Sequence, residues 1–293
     1  MATVFEIVVV HDDLVYGEQC AHEAFREVDR LEQALSRFVE NSDISRINNA
    51  AVGKPVRVGI DAFECLVHCV ELSAATNGAC DVSIGALSDY WSSVAANGRP
   101  PAPDRLAELR EGTGMLQIDF DAEQHAVTRR SNLVSIDLGG YGKGYAVDRM
   151  AEVLGDWDIG SALIHGGTSS VLAIGSPPEQ RGWPVTLRDP SAPDRVIERF
   201  DLRDLAMSGS GLAKGDHIID PRTGHPAAGA RAAWTITGTA AAGDALSTAF
   251  MIMSPEEIRD YCDRHGKTCA VVISASSEDA GDVMRFGDFS AVP

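Results

Sequence analysis

Lys143 sits among four glycines, Gly139, Gly140, Gly142 and Gly144, in the run Asp137-Leu-Gly-Gly-Tyr-Gly-Lys-Gly-Tyr-Ala-Val-Asp148. Glycines at a turn let the backbone come close to a ligand. A helix that follows offers unpaired N–H groups and the positive end of its dipole to an anion. Lys143 adds a charge at the same place, and the grouping suits a phosphate. Neither common phosphate loop is present. A dinucleotide fingerprint counted from Gly140 and Gly142 needs glycine where Tyr145 stands, and a P-loop needs Ser or Thr after a lysine that ends the glycines, whereas Gly144 and Tyr145 follow Lys143. The other reading of these glycines is a turn that lets a strand and a helix pack tightly.

Two further groups of side chains can do chemistry. Asp244 and Thr248 are four apart in an apolar stretch that reads as a helix opening at Gly243, so they share a face. A carboxylate and a hydroxyl are hard-oxygen donors of the kind Mg2+ takes, with phosphates and water completing its shell. Alternatively, Asp244 stabilises the start of the helix dipole and Thr248 bonds its own backbone. His217 precedes Ile218-Ile219 and lies three residues before Asp220. It is either a packed, hydrogen-bonded core histidine or, beside a phosphate site, the natural base near neutral pH.

These residues need elements to hold them. The N-terminal Val-Phe-Glu-Ile-Val-Val-Val run reads as a strand, and apolar positions from Gly17 to Phe38 recur at helical spacing. Ser42 is placed to cap a short helix that Asn48 closes as a C-cap. A helix over Asp61–Thr76 stops at Asn77-Gly78. The three prolines between Ala95 and Asp104 mark a loop, followed by a short helix near Leu106–Leu109 and two strands around Leu116–Ile118 and Ala126–Thr128. Leu133, Val134, Ile136 and Leu138 form a strand that enters the glycine run, and Tyr145, Val147, Met150, Val153 and Leu154 form the helix that leaves it. Beyond it, Ala162–Gly175 reads as strand, turn at Gly166-Gly167, and strand. Trp183–Arg188 and Val196–Leu202 make a hairpin, and Pro221, Gly224 and Pro226 fix a tight turn. A strand at Ala233–Gly238, the helix carrying Asp244, a helix at Pro255–His265 and a strand at Thr268–Ile273 complete the chain. The pattern is mixed α+β without strict βαβ alternation.

The 293 residues carry a net charge of −18 and a pI near 4.7. Nucleic acid and anionic membranes are bound through basic surface, so both are disfavoured as partners. A phosphorylated small molecule is not, because a glycine loop and a metal act locally. No run of about 18 apolar residues marks a transmembrane helix. The N-terminus lacks the basic segment and cleavage site of an export signal, so the chain as given reads as cytoplasmic, and as periplasmic or membrane-anchored if an export segment was trimmed. The six cysteines show no C-x-x-C spacing and read as reduced, buried thiols.

Taken in order, the segments S-R-F…S-D-I-S-R-I-N, C-D-V-S-I-G-A-L…W, D-L-G-G-Y-G-K-G-Y-A-V-D, H-G-G, S-G…H-I-I-D-P-R-T-G-H-P and D-A-L-S-T-A resemble the FAD:protein FMN transferase (ApbE) family over about Met1 to Phe250. The glycine run and the H-I-I-D-P-R-T-G segment are the most specific. The resemblance implies a T-fold-like antiparallel sheet core with helices on one face, in a two-lobed single domain spanning residues 1–293. It implies Mg2+-dependent transfer of FMN from FAD to a Thr or Ser hydroxyl of a target flavoprotein, with release of AMP. By the same resemblance, Asp244, Thr248 and a main-chain carbonyl at Gly142 hold the metal. Lys143 contacts the pyrophosphate and His217 is the base. Asn48, Asp81, Gly85, Gly140, Gly166 and Gly167 line the FAD cleft, with Tyr90 or Trp91 available to the flavin ring. Two other outcomes of the same site are Mg2+-dependent hydrolysis of FAD and FAD binding or carriage without catalysis.

Overall fold

A computed structural model describes residues 3–98, 100–212, 218–275 and 282–292. In chain order they begin with β1 (Phe5–Val9), α1 (Leu14–Leu35), α2 (Asp43–Asn49), β2 (Val56–Arg57), α3 (Ile60–Ala75), α4 (Gly85–Asn97) and α5 (Pro103–Gly112). Then come β3 (Ile118–Asp121), β4 (Ala126–Arg129), α6 (Gly142–Asp156), β5 (Ala162–Gly166), β6 (Ser170–Ile174), β7 (Trp183–Asp189) and β8 (Ala192–Leu202). The remainder forms β9 (Ala206–Gly211), β10 (Ala230–Thr237), α7 (Ala240–Phe250), α8 (Pro255–Arg264), β11 (Cys269–Ser274) and β12 (Val283–Phe286). Contacts group the chain into two units, one of residues 1–30, 141–213 and 228–293, the other of residues 31–140 and 214–227.

The first unit is built on a seven-stranded sheet of order β1-β5-β6-β9-β10-β11-β12, antiparallel throughout. Side chains alternate between its faces, and each face has its own cover. Ala162 and Ile164 of β5 pack with Cys20, Ala24 and Val28 of α1 and with Val147, Met150 and Leu154 of α6. Leu163, between them, points the other way and joins Val171, Met207 and Val271 against Trp183, Leu187 and Leu202 of the β7–β8 hairpin. Fully buried side chains such as Ile164, Met150 and Leu154 each stabilise the fold by about 1.5–3 kcal/mol relative to exposure. The expected α+β architecture, an antiparallel sheet with helices on one face, is the one observed. The strand β12, which pairs with β11 at the edge of the sheet, lies beyond the elements expected from the sequence.

The second unit holds α2 to α5, the three-stranded sheet β2-β4-β3, and the turn around Pro221. Leu87 of α4, Leu106 and Leu109 of α5, and Ile219 form its core cluster. Ser42 caps α2 as expected, accepting from the Ser45 N–H at 3.0 Å. Several boundaries differ from the sequence reading. Helix α1 ends at Leu35, and Phe38 is 84% exposed. The proline segment is short, because α4 runs to Asn97 before the left-handed Gly98 stops it, and Pro103 already starts α5. Leu116 is 90% exposed in a 3-10 turn, and the strand begins only at Ile118.

The apolar run before the glycines is also not a strand. Val134, Ile136 and Leu138 are buried in alternation, as in an extended chain with one covered face. Their backbone, however, pairs mostly outside any ladder. Asn48 donates its amide to the Ile136 carbonyl at 2.9 Å and accepts the Ile136 N–H at 2.7 Å. Arg129 donates to the Val134 carbonyl at 2.6 Å, and Asp137 N–H bonds the Val82 carbonyl at 2.7 Å. Asn48 is therefore no C-cap. It lies inside α2, whose C-cap is Ala50, and it holds the segment that leads to the glycine run.

Candidate functional site

Helix α6 begins at Gly142, with Tyr141 as its N-cap residue and no side chain capping it locally. Its first N–H groups need partners from elsewhere, and α7 supplies one. The Asp244 carboxylate accepts the Gly144 N–H at 3.2 Å through Oδ2, and both of its oxygens lie 3.0 Å from Lys143 Nζ. The Asp244 side chain is 3% exposed and that of Lys143 26%. The relation is reciprocal. Asp148 of α6 accepts the N–H groups of Ala240 and Ala241, at 2.6 and 2.8 Å, and so caps the start of α7. Burial raises the Asp148 carboxyl to about 6, against the opposing pull of these two hydrogen bonds.

The two helix starts can meet this closely because Gly144 has no side chain. A Cβ there would fall 2.1 Å from the Ala240 carbonyl oxygen and 2.7 Å from the Ala241 Cα. Gly166, at the end of β5, is constrained in the same region, since a Cβ on it would lie 2.8 Å from Val147 Cγ2 of α6. Gly167 takes the left-handed φ of 67° that the β5–β6 turn requires. The tight-packing reading of the glycines is the one Gly144 and Gly166 bear out, since a Cβ on either would fall within 2.8 Å of the neighbouring helix.

Asp244 is not at the beginning of its helix. Thr239 is the N-cap of α7, accepting from Ala242 N–H, so Asp244 lies in the second turn and stabilises the dipole of α6, not its own. The threonine at the cap was the available signal. Thr248 donates to the Asp244 carbonyl at 3.3 Å, and its hydroxyl also lies 3.1 Å from Ser210 Oγ of β9. Ser210 and Asp148 were not among the residues picked out from the sequence for the site. Their roles depend on partners 38 and 92 positions away, which spacing alone does not reveal.

The other expected site residues fall in the second unit. Asp81 accepts from Ser83 N–H, Ser83 Oγ and Met115 N–H at 2.8, 2.6 and 3.2 Å, and burial raises its carboxyl. Gly85 donates to the Ser135 carbonyl at 2.7 Å, and a Cβ there would lie 2.6 Å from the same oxygen. Gly140 follows a turn in which Asp137 Oδ1 accepts the Gly139 N–H at 2.8 Å. Tyr90 accepts from Ala102 N–H at 2.6 Å, and Trp91 donates to the Gly224 carbonyl at 2.7 Å. His217 lies outside the described residues.

No group of three or more His, Cys, Asp or Glu residues among the described residues is arranged for a metal. The donor chemistry at Asp244 nevertheless suits a hard cation of the Mg2+ class. It is a buried carboxylate already organised around the positive charge of Lys143, with the Thr248 hydroxyl one helical turn on, and such an ion takes few protein ligands when phosphates supply the rest. The Gly142 carbonyl belongs to the first helical turn of α6.

The start of α6 and the Asp244 carboxylate of α7 thus meet within the unit built on the antiparallel sheet. The model of the ApbE family matches residues 1–273, and the chain belongs to that family. Among its relatives, the FAD:protein FMN transferase of Haemophilus influenzae is 26% identical over 257 residues, 82% of this chain and 74% of the relative. The enzyme of the same name from Chlamydia trachomatis is 27% identical over 271 residues, covering 86% and 84%. The crystal structure of the ApbE protein from Thermotoga maritima superposes with a TM-score of 0.85 at 26% identity, over 97% of this chain and 94% of that one. The flavin transferase ApbE of Vibrio cholerae shares the fold, with a TM-score of 0.86 at 22% identity over 100% and 96%.

Proposed function

We propose that this chain transfers FMN from FAD to a Thr or Ser hydroxyl of a target flavoprotein and releases AMP, in a reaction that requires Mg2+. The observation that carries the proposal is the buried Asp244 carboxylate, held against Lys143 and the Gly144 N–H at the start of α6. The names of the relatives point the same way.

In this reading Asp244 and Thr248, with the Gly142 carbonyl, hold the cation, which when bound neutralises charge on the pyrophosphate. Lys143 turns from Asp244 to the phosphate oxygens, and the N–H groups opening α6 add the positive end of the helix dipole. The acceptor hydroxyl attacks the FMN phosphorus, the bond to the bridging oxygen breaks, and AMP departs with that oxygen. His217 takes the hydroxyl proton. Transfer of this kind depends on charge neutralisation and in-line placement more than on covalent help from the protein.

The test is incubation of the purified chain with FAD and Mg2+, with and without an acceptor flavoprotein, reading AMP and the acceptor's mass. The expected result is a gain of one FMN per acceptor with stoichiometric AMP, abolished in Asp244→Ala. AMP without acceptor modification would replace transfer by hydrolysis, and intact bound FAD would leave only a binding role.

A further inference from the structure

Thr248 can serve a cation only through its oxygen lone pairs, so its proton must point elsewhere. Among the described residues two acceptors are within reach, the Asp244 carbonyl at 3.3 Å and Ser210 Oγ at 3.1 Å. The Asp244 carbonyl is already taken at shorter range by the hydroxyl of Ser247, which donates to it at 2.9 Å. Ser210 Oγ in turn lies 2.9 Å from Ser247 Oγ. Three hydroxyls and one carbonyl thus form a ring in which each hydroxyl has one proton to give.

The ring has two directions. In one, Thr248 donates to Ser210, Ser210 to Ser247, and Ser247 to the Asp244 carbonyl. Every proton then has an acceptor, and both lone pairs of Thr248 stay open. In the other, Ser210 donates to Thr248 and uses one of those lone pairs. A cation beside Thr248 repels the proton and selects the first direction. Ser210 is suited to this because β9 fixes it rigidly, with its residue paired to Ala233 of β10, while Ser247 is fully buried.

We infer that Ser210 is the positioning residue of the cation site, taking the proton of Thr248 so that its oxygen faces the metal. The inference rests on the reading that Asp244 and Thr248 hold the cation. Without Ser210, the acceptor left to the Thr248 proton among the described residues is the Asp244 carbonyl, more distant at 3.3 Å and shared with the Ser247 hydroxyl.

The test titrates Mn2+ into the full chain without nucleotide, with the free ion followed by electron paramagnetic resonance, for wild type, S210A, S210T and T248A. Metal-free FAD binding and the unfolding temperature are measured alongside. Loss of one neutral hydrogen bond of about average strength predicts Mn2+ binding about tenfold weaker in S210A, equivalent to about 1.4 kcal/mol. S210T, which keeps the hydroxyl, is expected within about twofold of wild type on the same scale. FAD binding should be unchanged in both, while S210A, which gives up two hydrogen bonds of the unliganded fold, should unfold at a modestly lower temperature and S210T should not. T248A weakened with S210A unaffected would overturn the role of Ser210 and leave the metal assignment standing. T248A unaffected, or a wild type that binds no Mn2+, would remove the metal assignment and the inference with it. Equal losses of Mn2+ binding, FAD binding and stability in S210A would make Ser210 a packing residue.

Discussion

Gly144→Ala separates two opposed effects by their size. Within an exposed helix, replacing glycine by alanine adds about 1 kcal/mol of stability. Here the new Cβ would stand 2.1 Å from the Ala240 carbonyl oxygen and 2.5 Å from its carbon, where ordinary contact begins at 3.4 Å. Both obstacles are backbone, so no side chain can swing aside and α7 must withdraw from α6 by more than an ångström. That withdrawal breaks the Asp148 bonds to Ala240 and Ala241, now 2.6 and 2.8 Å, and separates Asp244 from the Gly144 N–H. Overpacking costs about 1–3 kcal/mol, and each hydrogen bond to a charged group adds about 1.5–3 kcal/mol. Even with partial relaxation, the expected net loss is about 3 kcal/mol, well beyond the gain in helix propensity. Urea unfolding followed by circular dichroism measures it. A variant as stable as wild type, or more so, would refute the close helix contact as the reason for glycine.

Two other perturbations test the surroundings of the site. Asp148 has its carboxyl raised to about 6, so it favours the folded state fully below the unfolded value near 3.8, and that contribution is lost as pH rises through about 6. The difference amounts to at most about 3 kcal/mol. Asp148→Asn should flatten the decline of stability between pH 4 and 7, read as urea midpoints across that range, and an unchanged slope relative to wild type would count against the assignment. Asn48→Ala removes both bonds to the Ile136 backbone and strands a buried donor and acceptor, so a loss of about 2–4 kcal/mol is expected. A variant within about 0.5 kcal/mol of wild type, the range of ordinary surface substitutions, would mean the pair contributes little.

The sequence was legible where a pattern reports something local. Helix α6, the β5–β6 turn at Gly166-Gly167, the Ser42 cap and the Asn77-Gly78 stop are encoded in neighbouring residues. The run from Leu133 to Leu138 shows the limit of such patterns. Its alternation correctly reports an extended backbone with one covered face, but alternation carries no information about whether the partner is a strand or side chains such as Asn48 and Arg129. Asp244 shows a second limit. Its distance from Thr248 is local and placed them on one face, whereas its bond to Gly144 spans 100 residues and is set by how two helices cross. Asp148 stood at the end of a motif already singled out, yet its work is done on a different helix. Ser210 likewise acts across strand and helix, and nothing in its neighbours distinguishes it from any other strand serine.

The exchange of aspartates between α6 and α7 has a kinetic side. Helix ends ordinarily fray one turn at a time, each opening at small free-energy cost. At these two ends the first turn of each helix is held by a carboxylate one or more turns into the other, so neither start can loosen without disturbing its neighbour. Amide hydrogens at Gly144, Ala240 and Ala241 are then expected to open in concert with the helix pair, so that both helix starts keep their order through each other and need no ligand to impose it.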